Sequence, residues 1–381
     1  MPFSLYIHIP YCLVKCPYCD FNAYGVRQWP EAQYTEALCM ELQHYAGQTP
    51  WRGESVQTVY FGGGTPSLFA PSSIRQVLHA VSDYFSLSSS PEITLEADPA
   101  SVTPATLAGF RDVGVNRLSF GIQSFQPALL KTLGRLHTAE EGLHVLSWAR
   151  EAGFTNLNMD FIFGVPGQTL DLLHDDLTKT LATAPEHISL YNLTYEEGTP
   201  FFRKRQTGQL QPVDEEEEVA MFSFIREWCV AHGYQHYEIS NFARPGFSSR
   251  HNVNYWQGGN YLGLGAGAHS FTNVPEWGRR WSNERKPQVY MKKAIALGHA
   301  RDHEETLTRT QARGEFVFLN LRQMNGLALP VFARRFGVCF TEEYPHLEEL
   351  LEERLLQQSG EHIALTPKGV LIADTIFASF F

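Results

Sequence analysis

No stretch of the chain is apolar for long enough to cross a bilayer, which excludes a membrane-spanning helix; peripheral contact with a membrane stays compatible. Positive charge is scarce: 30 Lys and Arg stand against 41 Asp and Glu, a formal net charge of −11. Nucleic acid is therefore not expected as the main partner. Cysteine is sparse as well. Of the six, those at 12, 16 and 19 are clustered and those at 39, 229 and 339 are scattered, unlike the disulfide framework of a secreted protein. The first residues carry no basic segment followed by an apolar one, so no export signal is expected and the expected location is the cytoplasm. The phosphate-binding loops G-x4-G-K-S/T and G-x-G-x-x-G are both missing.

What is present begins at Cys12-Leu-Val-Lys-Cys16-Pro-Tyr-Cys19, directly after the apolar run Ser4-Leu-Tyr-Ile-His-Ile-Pro10. Three thiolates in one tight loop can grip a soft metal centre. A closed zinc site takes four ligands, and no fourth cysteine lies near in sequence. An iron–sulfur cube usually takes four cysteines too, so three would leave one iron open to a small molecule. Three free thiols, or half of a zinc knuckle, also fit these residues. The C-x3-C-x2-C spacing resembles that of the radical S-adenosylmethionine (SAM) superfamily, which implies a 4Fe-4S cluster whose open iron is chelated by SAM.

The rest of the first half alternates strand and helix. Strands are expected over 5–10, 56–61, 92–99, 117–123, 156–163 and 187–193, with helices over 31–46, 72–85, from Thr103-Pro104, over 139–152 and over about 170–183. Repeated β-α units imply a parallel sheet. Polar residues recur on one face of several strands towards their C-terminal ends: Tyr6 and His8; Thr94, Glu96 and Asp98; Ser119 and Gln123; Asn158 and Asp160; Ser189 and Tyr191. An open sheet would concentrate them at one switch point, whereas a barrel aims them all at one mouth. The expected fold is therefore α/β, a partial (β/α)6 TIM-like barrel. Gly62-Gly-Gly-Thr-Pro66, after the second strand, reads either as a tight turn or as backbone approaching a ligand.

Five ordered motifs between about 4 and 200 make the resemblance closer: Tyr-Ile-His-Ile-Pro-Tyr-Cys-x3-Cys-Pro-Tyr-Cys-Asp-Phe, Phe-Gly-Gly-Gly-Thr-Pro-Ser, Glu-Ala-Asp-Pro, Leu-Ser-Phe-Gly-Ile-Gln-Ser-Phe and Asn-Met-Asp-Phe-Ile-Phe-Gly-Val-Pro-Gly-Gln-Thr. The chain resembles the oxygen-independent coproporphyrinogen oxidase group of radical SAM proteins. The resemblance implies that Cys12, Cys16 and Cys19 ligate the cluster and that Tyr6, Tyr18, Gly63 and Glu96 line its SAM. Gly64, Thr65, Gln123, Arg135, Asp160 and Thr194 match positions that contact a second SAM in the oxidase. Two departures stand out. Phe21 replaces a further cysteine of the oxidase, and the first strand starts almost at Met1, where the oxidase has an extension. The Cys-Pro-Tyr-Cys-Asp-Phe form instead resembles the HemW branch, which implies a haem chaperone serving unidentified haem-accepting proteins, respiratory ones among the candidates. Oxidative decarboxylation of a porphyrinogen is the alternative the wider group implies.

His251-Asn-Val-Asn-Tyr-Trp256 matches the H-N-x-x-Y-W motif of that branch. In a strand or a helix, His251 and Tyr255 share a face, and the resemblance makes His251 a candidate ligand of haem iron. Taken alone, a histidine between Arg250 and Asn252 reads as an ordinary surface or loop residue. His269, after a glycine-rich run, is a second and weaker candidate, for the haem or the SAM site. Asp214 and Glu215–Glu218 read as a helix start favoured by the helix dipole. A composition shift near 277–292 suggests a boundary, dividing the chain into 1–285, the barrel with its haem-motif extension, and 286–381, a mostly helical, winged-helix-like domain. Helices are expected there over 308–322, 328–336 and 347–358, the last with an apolar face of Leu347, Leu350, Leu351 and Leu355, then a strand and turn over 362–369 before a last helix.

Overall fold

The computed structural model describes residues 2–381. Six parallel strands form its centre: β1 (Phe3–Ile9), β2 (Ser55–Gly63), β3 (Ser86–Ala97), β4 (Arg117–Gln123), β5 (Leu157–Phe163) and β6 (His187–Asn192). They pair in sequence order, as expected when each crossover returns the chain to the neighbouring position. The crossovers are α1 (Glu31–Ala46), α2 (Pro71–Tyr84), α3 (Pro104–Asp112), α4 (Ala139–Glu151) and α5 (Leu170–Thr183), and α6 (Glu215–Ala231) follows β6. This is the partial (β/α)6 barrel.

Local sequence explains where these helices begin. Thr103 and Thr138 each accept a hydrogen bond from the backbone three residues on and close reciprocal capping boxes, each worth about 1 kcal/mol. Asp214 does occupy the cap position of α6, but its side chain makes no capping bond. Along α1, Tyr34, Ala37, Leu38, Leu42 and Tyr45 recur at helical spacing and are buried against the sheet.

The sheet extends beyond the barrel on both sides. Next to β6 lies β8 (Asn241–Ala243), then β7 (Gln235–Glu238), both antiparallel. Next to β1 lies β9 (Tyr261–Leu264), parallel, followed by antiparallel β10 (His269–Thr272), β11 (Arg279–Asn283) and β12 (Arg301–Thr306). All twelve strands form one sheet. The division expected after residue 285 therefore falls between two strands of one hydrogen-bonded ladder. A second hydrophobic core begins only at Leu307.

That second core lies under α8 (Arg309–Leu321), four-residue and longer helices after it, and a three-stranded sheet of Leu327–Ala328, Leu356–Ser359 and His362–Leu365. The helix expected over 347–358 stops at Glu352. Arg354 turns the backbone into the left-handed region, and Leu356–Ser359 becomes a strand paired with His362–Leu365. Leu355 thus lies in the turn and not on the helix face.

Candidate functional site at the barrel mouth

The polar faces read from the strands meet inside the barrel. Register puts Ser119 beside Asn158, and Asp160 between Gly121 and Ser189. Ser119 donates to Asp160 Oδ2 at 2.9 Å, and Asn158 Nδ2 donates to Asp160 Oδ1 at 2.8 Å. Burial raises the Asp160 carboxyl above its usual range, and these donors offset part of the shift.

Glu96 is the hub nearer the mouth. Its Oε1 accepts from the Tyr60 hydroxyl at 2.9 Å and its Oε2 from the Gly63 N–H at 3.0 Å. Burial pushes its pKa up to about 7, partly offset by the Tyr60 hydrogen bond, and the nearby Asp160 adds to the rise. Gly63 has φ of 114°, and a Cβ there would strike the His8 ring at 2.4 Å. A Cβ on Gly64 would lie 2.7 Å from the Tyr11 carbonyl oxygen. The Gly64 and Thr65 N–H groups donate to Ile9 and Tyr11, each at 2.8 Å. The glycine run therefore fastens β2 against the chain entering the cysteine loop.

Within that loop the Cys19 N–H donates to the Cys16 carbonyl at 3.1 Å. All six cysteines are free thiols. Burial pushes the Cys12 thiol up to about 11, offset in part by a hydrogen bond with Thr65. Among the described residues no three His, Cys, Asp or Glu side chains gather around one ion position. A cube, in contrast, takes its cysteines at separate corners, and three soft donors held apart suit it. Arg135 adds a cation to this loop. Its Nη1 donates to Cys16 Sγ at 3.5 Å, and its Nη2 donates to Asp98 at 2.5 Å and to the Gly121 carbonyl at 2.7 Å. The residues fit a bound anionic cluster, since Arg135 offers a donor to sulfur, and Tyr6, Gly63 and Glu96 line one cavity.

Other expected residues sit elsewhere. Tyr18 packs against Phe201 at 6.2 Å between ring centroids and faces Cys16. Gln123 closes β4 with φ of 67°, a left-handed conformation uncommon for a side-chain-bearing residue. Thr194 is exposed after β6. They are not among the residues lining the cavity that Tyr6 and Glu96 share.

A cavity of about 970 Å³ opens from the Tyr6, Gly63 and Glu96 side of the mouth. Aromatic side chains also line it: Tyr255, Trp256, Tyr261 and Phe271. Phe318 and Leu319 of α8, with Phe381, cover it. The volume is at the upper end of the usual range for ligand pockets, roughly 300–1,000 Å³. Phe21, at the end of the cysteine loop, also lines it and is 64% exposed.

His251 does not line this cavity. It starts the helix α7 (Arg250–Trp256), is buried, and stacks on Tyr60 at 4.9 Å. Thr58 donates to Ser4 at 2.8 Å, so its hydroxyl oxygen accepts from His251 Nδ1–H at 2.7 Å. That tautomer leaves Nε2 as an acceptor, filled by the Tyr255 hydroxyl at 2.8 Å. Burial, helped by Arg117, lowers the His251 pKa to about 3, so the ring is neutral. Its lone pair is already engaged.

Sequence reasoning missed two organisers. Asn22 donates to the Ala266 and Arg285 carbonyls, both at 2.9 Å, and its own carbonyl bonds His8 Nε2 at 3.0 Å. Glu41 on α1 accepts from Gly265 N–H, Asn283 and Tyr290 at 3.0, 2.7 and 2.7 Å. Together they fix the turn between β9 and β10. The three-residue contacts of Asn22 follow a cysteine motif closely enough to invite attention; the reach of Glu41 over 224 residues leaves no local signal.

Residues 6–179 match the radical SAM superfamily, and residues 307–372 match the HemN C-terminal domain. The second match begins where the second core begins. A protein of Lactococcus lactis called heme chaperone HemW is 34% identical over 380 residues, covering 100% of this chain and 97% of that one. The Escherichia coli protein of the same name is 33% identical, covering 100% and 98%. The chain belongs to the HemW family of radical SAM proteins. A bovine relative, radical S-adenosyl methionine domain-containing protein 1, mitochondrial, is 36% identical over 99% of this chain and 86% of that one. Among solved structures, coproporphyrinogen III oxidase (HemN) of Escherichia coli superposes with a TM-score of 0.85 at 25% identity, over 100% of this chain and 90% of that one. HemW-family membership thus accompanies a fold shared with an oxidase.

Proposed function

We propose that this protein is a haem chaperone: it binds haem and passes it to acceptor haem proteins. It carries a 4Fe-4S cluster on Cys12, Cys16 and Cys19, with SAM on the open iron. The observation that carries this reading is a large cavity lined both by Glu96 at the barrel mouth and by aromatic side chains, with Phe318 of the C-terminal domain. A porphyrin is a flat apolar plate with charged edges, and aromatic faces suit it. Full-length similarity to proteins named heme chaperone HemW supports the same assignment.

When bound, the cluster and SAM would supply one-electron chemistry. Tyr6, Gly63 and Glu96 would orient the SAM, and the α8 cover would exclude water from it. The three cysteines outside the loop, Cys39, Cys229 and Cys339, form no disulfide, and a reducing compartment such as the cytoplasm suits them; no helix among the described residues is long and apolar enough to cross a membrane.

The oxidase reading keeps one supporting observation, the similarity of fold to coproporphyrinogen III oxidase. Against it, Phe21 puts a ring into the cavity where the oxidase has another cysteine. One anaerobic preparation, tested by haem titration and by coproporphyrinogen decarboxylation with SAM, decides between them. Haem binding and transfer to an apo-acceptor without decarboxylation is the expected result. Decarboxylation without stable haem binding would reverse the assignment.

A further inference from the structure

The H-N-x-x-Y-W histidine has no free nitrogen, and the cavity does hold a different histidine that has two. His269 opens β10 and lines the cavity. It is exposed, and its ring has no hydrogen-bond or stacking partner among the described residues. The strand holding it is stiffly placed: His269 pairs with Ser282, and the turn before it is fixed by Asn22 and Glu41. The same cavity is lined by Tyr255 and Trp256, the aromatic end of the motif. Arg285 also lines it and forms no ion pair among the described residues, whereas Arg280 is committed to Glu305 and Glu315.

We infer that His269, and not His251, is the protein ligand of haem iron. The porphyrin plane then lies against the Tyr255 and Trp256 wall, with a propionate towards Arg285. This rests on the haem-chaperone reading and names the iron ligand within it. Partial burial of the ring, with Arg280 and Arg285 nearby, lowers the His269 pKa, and the neutral imidazole is the form that binds iron. His251 acts as a positioning residue. Its Nε2 holds the Tyr255 hydroxyl and so sets the tilt of the ring that faces the haem.

The motif histidine and the ligand histidine thus divide the work. The first shapes a wall; the second makes the bond. Nothing in the spacing of H-N-x-x-Y-W distinguishes these roles, because a histidine that orients a tyrosine and one that binds iron need the same neighbours in sequence.

The test is a titration of the full chain, reconstituted with its cluster, using ferric haem, read by the Soret band and by electron paramagnetic resonance. Three proteins are compared: unmodified, His269→Ala and His251→Ala. His269→Ala is expected to lose the nitrogen-ligand signature and about tenfold in affinity, and millimolar imidazole should restore the signature. His269→Met should give a third spectrum, that of a thioether ligand, which a merely misfolded chain would not. His251→Ala should keep the nitrogen-ligand signature while weakening binding. An unchanged spectrum in His269→Ala overturns the ligand assignment, and so does imidazole rescue confined to His251→Ala. If the unmodified chain binds no haem, the chaperone reading falls and takes the ligand with it.

Discussion

The Tyr255 hydroxyl donates to His251 Nε2 across 2.8 Å, one helical turn apart on α7. His251 Nδ1 meets Thr58 on β2 at 2.7 Å. The motif is therefore a strut between a barrel strand and the aromatic wall of the cavity, and its chemistry is that of a neutral buried imidazole. Unfolding would release this ring to water with its ordinary pKa near 6.5.

A lowered histidine pKa makes a definite demand on pH. Above about 6.5 neither state holds the proton, and the stability linked to this ring is fully present. As pH falls below 6.5 the unfolded chain takes up a proton that the folded chain refuses down to about 3. Stability should fall by about 2 kcal/mol between pH 7.5 and pH 5 from this ring alone. Denaturant titrations of the metal-free protein at the two pH values, compared with His251→Asn, isolate the effect. An equal pH difference in both proteins would reject it.

Glu96 has the opposite sign. Its carboxyl titrates near 7, so it is mostly protonated at pH 6 and mostly ionised at pH 8. Hydrogen bonds to a charged acceptor are stronger than those to a neutral one, by about 1 kcal/mol. If Glu96 accepts from the ribose hydroxyls of SAM, SAM affinity should rise about fivefold from pH 6 to pH 8. Calorimetry of cluster-loaded protein would show the rise, and Glu96→Gln should flatten it. A flat profile in the unmodified protein removes Glu96 from the SAM site.

Replacing any one of Cys12, Cys16 or Cys19 by Ser should abolish the visible absorption of a reconstituted 4Fe-4S cluster and lower bound iron. The same change at Cys39, Cys229 or Cys339 should leave both intact. A normal cluster in all three loop variants would show that the iron is held elsewhere.

Arg135 touches Cys16 through a donor to sulfur. Donors and positive charge near a cluster favour its reduced form. Arg135→Gln should therefore lower the cluster potential, on the order of 65–130 mV for an interaction of about 1.5–3 kcal/mol in a one-electron couple. Potentiometry followed by visible spectra measures this directly. A potential that does not move would make the contact with Cys16 purely structural, as would a cluster that fails to assemble.

Much of the barrel was legible because its strands mix two signals. Glu96 and Asp160 interrupt apolar runs with the period of a pleat, and buried carboxylates need partners. Those partners, Tyr60 and Ser119, proved to lie on neighbouring strands. The domain boundary was not legible. Arg301–Thr306 reads as solvated surface, since every side chain in it is polar, yet it is the edge strand of the sheet. An edge strand with charged residues protects the sheet from pairing with another chain, and this composition imitates a linker. The stripe of Leu347, Leu350, Leu351 and Leu355 likewise looked helical to its end. Leucine suits the turn after Arg354 equally well, because what it needs there is burial and not a helix. The role of His251 was hidden for a third reason: Thr58 stands 193 residues away.

The single twelve-stranded ladder has a mechanical consequence. His269, Tyr6 and Tyr261 lie on strands of that ladder, so this side of the cavity is as rigid as its backbone hydrogen bonds. Phe318 packs against a separate core that begins at Leu307, and the chain just past α8 is tied back to β7 by two backbone hydrogen bonds, Ile239 N–H to the Arg322 carbonyl and Met324 N–H to the Tyr237 carbonyl, both at 3.1 Å. The chamber is thus unequal in stiffness. The cover, held by side chains and that one bridge, is less densely hydrogen-bonded to the barrel than the strands are to one another. Amide exchange should separate the two faces, with slower exchange in β1, β9 and β10 than in α8.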